Sequence, residues 1–195
     1  MQVQIPLTQG QFTLIDGIDR DAMLTIGKWC YSSSGYAVHY CTDDAGKRRT
    51  LYMHRVIMQR VLGGPIPAGY QVDHISGATQ GKLARLDNRR ENLRLATRSQ
   101  NQAHKGRGAN NTSEYKGVSF NQGKWEARIK YQDQRLNLGR FKYAITAAWV
   151  YDAASRLLYG EFAGLNFPDL PTPPHLEAHV RTILERYGIL TRRAS

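Results

Sequence analysis

The segment KWEARIKY, residues 124–131, constrains the fold more than any other stretch. Trp125, Ala127, Ile129 and Tyr131 alternate with Lys124, Glu126, Arg128 and Lys130. Successive side chains of a strand point to opposite faces, so this period of two predicts a half-buried strand with a mostly basic outer face. Leu136 and Leu138 continue the apolar face in the next piece, with Arg135 and Asn137 opposite. Ala147, Val150, Tyr151, Ala154, Leu157 and Leu158 then follow at helical spacing, and Gly160 suits the end of that helix. Three short antiparallel strands packed on one helix, within 115–168, are the economical reading. Trp125 shares the apolar face with Ile129 and is expected in the core.

The remaining chain divides by texture. Residues 1–70 carry short apolar runs such as FTLID, with strand-like pieces around Tyr36–Tyr40 and Thr50–Met53 punctuated by Ser-Gly and Ala-Gly. Met53–Leu62 reads as a helix, with Val56, Ile57, Arg60 and Val61 at helical spacing and Gly63-Gly64-Pro65 to stop it. KGRGANNTSE is rich in Gly and Asn, and a linker is expected at 108–114. After the Pro-rich DLPTPPH, Leu176, Val180, Ile183 and Leu184 predict a C-terminal helix. The fold class is therefore α+β, with a first domain at 1–107, the linker, a sheet-and-helix domain at 115–168 and a helical tail at 169–195.

Charge narrows the function. The chain of 195 residues has a formal net charge of +11. Residues 1–45 sum to −3, whereas 82–107 sum to +6 and 108–142 to +4. A positive middle points to a polyanion-binding surface. No apolar run approaches the roughly 18 residues that span a bilayer, so no membrane partner is expected. MQVQIPLTQG lacks the basic start and apolar stretch of a secretion signal, and a cytoplasmic location is expected. In that compartment Cys30 and Cys41 are expected as reduced thiols.

The polar residues with chemical potential lie in GYQVDHI and LDNRRENLRLATRSQNQAHKG. Val72 and Ile75 flank Asp73-His74 at the end of a strand-like piece. A second strand, Asn92–Ala96, leads into a helix beginning near Thr97-Arg98-Ser99, on which Asn101 and His104 share a face. Phosphodiester hydrolysis needs a base to deprotonate water and a cation to stabilise the developing charge. Neutral imidazole suits the first role. Carboxylate and amide oxygens suit a hard ion such as Mg²⁺.

MHRVIMQRVLGGPIPAGYQVDHI with LDNRRENLRLATRSQNQAHKG, about residues 50–107, closely resembles the HNH (ββα-metal) nuclease family, especially its phage and intron-encoded homing endonucleases. The resemblance implies a ββα-metal fold after the small N-terminal β-rich region. It implies His74 as general base, Asp73 as metal ligand and Asn92 as the residue that orients the base. Asn101 matches the second ligand of the homing branch, and His104 is the competing ligand. One divalent ion, Mg²⁺ with Mn²⁺ as the alternative, is the implied cofactor, and cleavage would leave 5′-phosphate and 3′-hydroxyl ends. The link between His74 and Asn92 is longer than the family's usual one, which leaves Asn88 as a weaker candidate for a support role. His54 is read as structural support.

YKGVSFNQGKWEARIKY, LNLGRF and AAWVYDAASRLLYGEFAGLNFP, residues 115–168, resemble the plant ethylene-response-factor (Apetala-type) DNA-binding domain. That family places the exposed face of its sheet in the major groove. Matching positions make Lys116, Ser119, Arg128, Lys130, Arg135 and Asn137 candidate contacts to double-stranded DNA. The combined expectation is a two-module homing-type endonuclease, encoded by a phage or mobile element of a bacterial host, nicking DNA alone or cutting both strands as a homodimer. The alternatives are a non-catalytic, sequence-specific DNA-binding regulator and, less favoured, an RNA-binding protein.

Overall fold

The computed structural model describes residues 1–78, 83–106 and 111–191. Among the described residues it is an α+β protein with four small sheets and five α-helices, divided into compact units at Met1–Arg98 and Ser99–Ser195. Among the described residues no helix is long and apolar enough to cross a membrane.

The first unit opens with a hairpin of β1 (Gln2–Pro6) and β2 (Phe12–Asp16), followed by α1 (Arg20–Ile26). β3 (Cys30–Tyr31), β4 (Ala37–Thr42) and β5 (Arg48–Tyr52) make an antiparallel sheet with β4 central. Cys30 and Cys41 are both free thiols, as expected. β5 runs directly into α2 (Met53–Leu62), which ends where Gly63 turns left-handed at φ 67°. β6 (Tyr70–His74) and β7 (Leu93–Thr97) pair antiparallel, with Asp73 opposite Arg94 and His74 opposite Leu93. Ile5, Ile15, Met23, Trp29, Met53, Ile57, Val72, Leu86 and Leu93 build one core beneath these elements.

α2 keeps its expected bounds but not its expected stripe. Met53, His54, Ile57 and Met58 face inward, and Val61 is 46% exposed. The helix is turned so that His54 packs on the ring of His74, centroids 5.0 Å apart. Arg60 instead reaches the fully buried Asp19, which also binds Arg90. Burial raises the pKa of Asp19, but the hydrogen bonds from Arg90 and Arg60 outweigh it and hold the carboxyl below its ordinary 3.8.

α3 (Arg98–His104) follows β7, and from Ser99 onward it belongs to the second unit. Of the expected linker, residues 108–110 lie outside the described residues. At 111–114, Asn111 accepts from the amide of Ser113 and donates to the carbonyl of Tyr115, so this part is a hydrogen-bonded turn. β8 (Val118–Asn121), β9 (Lys124–Tyr131) and β10 (Gln134–Phe141) form an antiparallel sheet with β9 central. α4 (Ala144–Tyr159) buries Ala147, Val150, Tyr151 and Ala154, while Ala127, Ile129, Leu136 and Leu138 are the buried residues of the sheet. Gly117, at φ 73°, lets the backbone pass under Tyr151: a Cβ there would lie 1.9 Å from the ring. Asp152 accepts from the backbone amides of Asn166 and Phe167 and so closes the domain. α5 (Pro174–Arg186) buries Val180 and Leu184, two of the four apolar positions that predicted it.

Candidate functional site

Asp73 and His74 end β6, where adjacent residues of a strand face opposite ways, yet both are buried, at 7% and 5% exposure. Arg94, across the β6–β7 ladder, donates from Nε to Asp73 Oδ2 at 3.1 Å. His74 Nε2 lies 3.1 Å from Asn88 Oδ1, and Nδ1 accepts no hydrogen bond from the described residues. Asn88 is 1% exposed, its backbone amide bonds the carbonyl of Leu14, and its Nδ2 donates to Thr13 Oγ1 at 2.7 Å.

Around His74 stand Tyr36, with ring centroids 6.0 Å apart, and His54. The Arg85 guanidinium lies 5.0 Å over the Tyr36 ring. Burial pushes the pKa of His74 below its ordinary value, against the raising effects of the Asn88 hydrogen bond and the Asp73 charge. His54 is pushed down to about 3, chiefly by burial and then by the charge of His74. Both imidazoles are therefore neutral at physiological pH, the state in which His74 can accept a proton.

Asn92, expected to orient the base, occupies a different place. Its Oδ1 accepts from the amide of Ser76 at 3.0 Å, and its Nδ2 donates to the carbonyl of Asp87 at 2.7 Å. It fastens the loop after β6 to the strand that follows. The contact on the imidazole goes to Asn88, four residues earlier. Asn101 and His104 lie one helical turn apart on α3 in the second unit, with His104 buried. The carbonyls of Ala103, at the C-terminal end of α3, and of Lys105, just beyond it, accept from Lys116 Nζ, and Ala103 also accepts from the amide of Gly164.

Lys116 is thus turned inward rather than toward the open face of the sheet. Burial lowers its pKa to about 8. The open face carries Ser119, Arg128, Lys130, Arg135 and Asn137, all exposed. Asn137 spends its Oδ1 on the amide of Gly139, at the bulge of β10, and its backbone amide on the Tyr187 hydroxyl. Glu126, at the centre of this face, is only 4% exposed because Arg128 and Arg140 fold over it. Arg140 escaped the sequence reading. It lies beyond the bulge, where simple alternation along β10 loses phase.

The residues also say what kind of ion could be held. Among the described residues no three His, Cys, Asp or Glu side chains cluster. The described residues thus offer no zinc-type cage, whereas the carboxylate of Asp73 is the class of hard oxygen donor that suits an ion keeping several waters.

Comparison with known proteins bears on the family. Residues 51–103 match the model of a family described as HNH endonuclease. A protein of Acanthamoeba polyphaga mimivirus described as an uncharacterized HNH endonuclease is 30% identical over 159 residues, covering 81% of this chain and 76% of the relative. The chain belongs to the HNH endonuclease family. Membership supports a nuclease acting on DNA, and HNH nucleases generally use a divalent metal. Protein 3.8 of Escherichia phage T7 is 32% identical over 102 residues, 51% of this chain and 78% of the relative. A third similarity is partial: dehydration-responsive element-binding protein 2E of Oryza sativa subsp. japonica is 44% identical over 80 residues, 40% of this chain and 25% of the plant protein.

Proposed function

We propose that this HNH family member is a metal-dependent endonuclease of the homing type that hydrolyses phosphodiester bonds in duplex DNA, with His74 as general base. The observation that carries the reading is the buried Asn88–His74 hydrogen bond. It fixes the imidazole plane, while burial keeps the ring neutral. A neutral, oriented imidazole can take a proton from water in line with a scissile phosphate. Asp73 is the proposed metal ligand from β6, and Asn101 or His104 the proposed ligand from α3. The bound ion, Mg²⁺ or Mn²⁺, would supply positive charge to the phosphate oxygens as they become more negative. Asn92 serves the site by holding the loop after β6 rather than by touching the base.

The second unit is proposed to hold duplex DNA through the open face of β8–β10. Ser119, Arg128, Lys130, Arg135 and Arg140 carry that role, and Asn137 contributes less because its amide oxygen is engaged. Lys116 is removed from the contact set. One His74 centre cuts one strand, so a double-strand break takes two chains or two successive nicks.

A single observation favours a second reading, a DNA-binding regulator without catalysis. The Arg94 guanidinium already neutralises Asp73 and competes with any cation there. Incubating the chain with supercoiled plasmid and Mg²⁺, Mn²⁺ or EDTA separates the two. The nuclease reading expects open-circular product with Mg²⁺ or Mn²⁺, abolished by EDTA and resealable by a ligase that needs 5′-phosphate and 3′-hydroxyl ends. Binding without nicking in either metal would establish the regulator instead.

A further inference from the structure

His74 is reached by a buried chain of hydrogen bonds that begins in the N-terminal hairpin, outside the segment matched by the family. Thr13, on β2, is fully buried, and its Oγ1 lies 2.7 Å from the carbonyl oxygen of Leu86. That oxygen can only accept, so the single hydroxyl proton of Thr13 is committed to it. The other neighbour able to accept this proton is Met53 Sδ, at 3.9 Å, a weak acceptor at long range. Thr13 Oγ1 must then accept from Asn88, whose amide group is 2.7 Å away. This orients the Asn88 side chain with its NH₂ toward Thr13 and its carbonyl oxygen toward His74. The backbone amide of Asn88, bound to the carbonyl of Leu14 on the same strand, pins the residue in place.

The consequence falls on the imidazole. Facing a carbonyl oxygen at 3.1 Å, Nε2 must carry the ring proton, which leaves the lone pair on Nδ1. Flipping the Asn88 amide would set its oxygen against a Thr13 oxygen that has no proton left to give. Thr13, Asn88 and His74 are each at most 5% exposed, which leaves little room for water to repair the mismatch.

We propose that Thr13 is a positioning residue: acting through Asn88, it fixes the tautomer of His74 and so selects Nδ1 as the basic nitrogen. Its functional half rests on the reading of His74 as general base; its structural half, the tautomer, does not. Thr13 itself has no role in touching substrate. Its role is to remove the wrong tautomer, in which the proton sits on the nitrogen that should accept one.

The test uses the full chain with ¹⁵N-labelled histidine, in which long-range ¹H–¹⁵N spectra distinguish the two neutral tautomers. The signal of His74 is assigned by its loss in His74→Gln. Wild type and Thr13→Ser are expected to show the Nε2–H tautomer, because serine keeps the hydroxyl. Thr13→Val, of nearly the same shape, is expected to show a mixture with Nδ1–H. In plasmid nicking with Mg²⁺, Thr13→Val should lose about ten- to a hundredfold in kcat with KM for DNA nearly unchanged, and Thr13→Ser should recover the rate. A wild-type spectrum dominated by Nδ1–H would overturn the proposal, whatever the fate of the variants. So would a Thr13→Val protein with the wild-type tautomer, or a Thr13→Ser protein as slow as Thr13→Val. Absence of nicking by wild type would defeat the general-base reading alone, since the spectra still report on the relay.

Discussion

At the scale of single residues, the proposed site couples one candidate base, His74, to several residues that position it or its neighbours. Arg94 is the clearest lever on the proposed metal site. Its guanidinium sits on Asp73 and opposes the approach of a second cation. Arg94→Gln should therefore lower the Mg²⁺ concentration for half-maximal nicking by about three- to tenfold, the effect of removing roughly 1 kcal/mol of screened repulsion. A metal titration of nicking rate in the two proteins measures this, and an unchanged midpoint would show that Asp73 is not the ligand. Asp73 and His74 were legible in the sequence because the pair is adjacent and the flanking motif is continuous. Asn88 was only half legible: it stands fourteen residues after His74 in a segment without periodicity. Thr13 was not legible, because one threonine in FTLID reads alike whether it faces water or closes a relay.

At the scale of elements, buried polar clamps hold the site's supports together. Asp19 joins α2, through Arg60, to the segment before β7, through Arg90. Asp19→Asn should cost about 2 kcal/mol, less than a fully buried pair because both arginines are partly exposed. Urea unfolding at pH 7 checks that figure. The pH dependence follows from the sign of the shift. A carboxyl with its folded pKa below 3.8 contributes stability above that value and loses it as pH falls through the folded pKa. Wild type should thus lose its advantage over Asp19→Asn below about pH 3.8, and an advantage that persists or grows there would contradict the assignment. In the second unit, Gly117→Ala should cost about 2–4 kcal/mol, since a Cβ would meet the Tyr151 ring on a backbone already at positive φ. Thermal melting tests it, and a neutral substitution would mean that this close approach is absent. The bounds of α2 were written in Gly63-Gly64-Pro65, but its inward face was not. The partner that draws His54 inward is His74, twenty residues away, and local periodicity cannot register it.

At the scale of the whole molecule, the charge of +6 on residues 82–107 is less available than its sum implies. In the basic stretch at 82–107, Arg89, Arg90 and Arg94 pair with Asp87, Asp19 and Asp73, and Arg85 donates to the carbonyl of Ser34. Composition counts these charges, but only the fold shows that they hold the protein together. On the open face of β8–β10, the surface proposed to hold DNA, Arg128, Lys130, Arg135 and Arg140 remain exposed. Arg128→Ala with Arg135→Ala should weaken duplex binding and reduce the slope of log K against log salt by about two, one for each phosphate that is no longer neutralised. Fluorescence anisotropy across a salt series reads this, and an unchanged slope would move the DNA-binding surface elsewhere. The central claim, that this chain cuts DNA with His74 as its base, meets its most direct test in single-turnover nicking of supercoiled plasmid by wild type and His74→Ala at saturating Mg²⁺. The expected result is that His74→Ala binds the plasmid as wild type does and nicks it at least about a hundredfold more slowly. Equal nicking rates in the two proteins would contradict the claim.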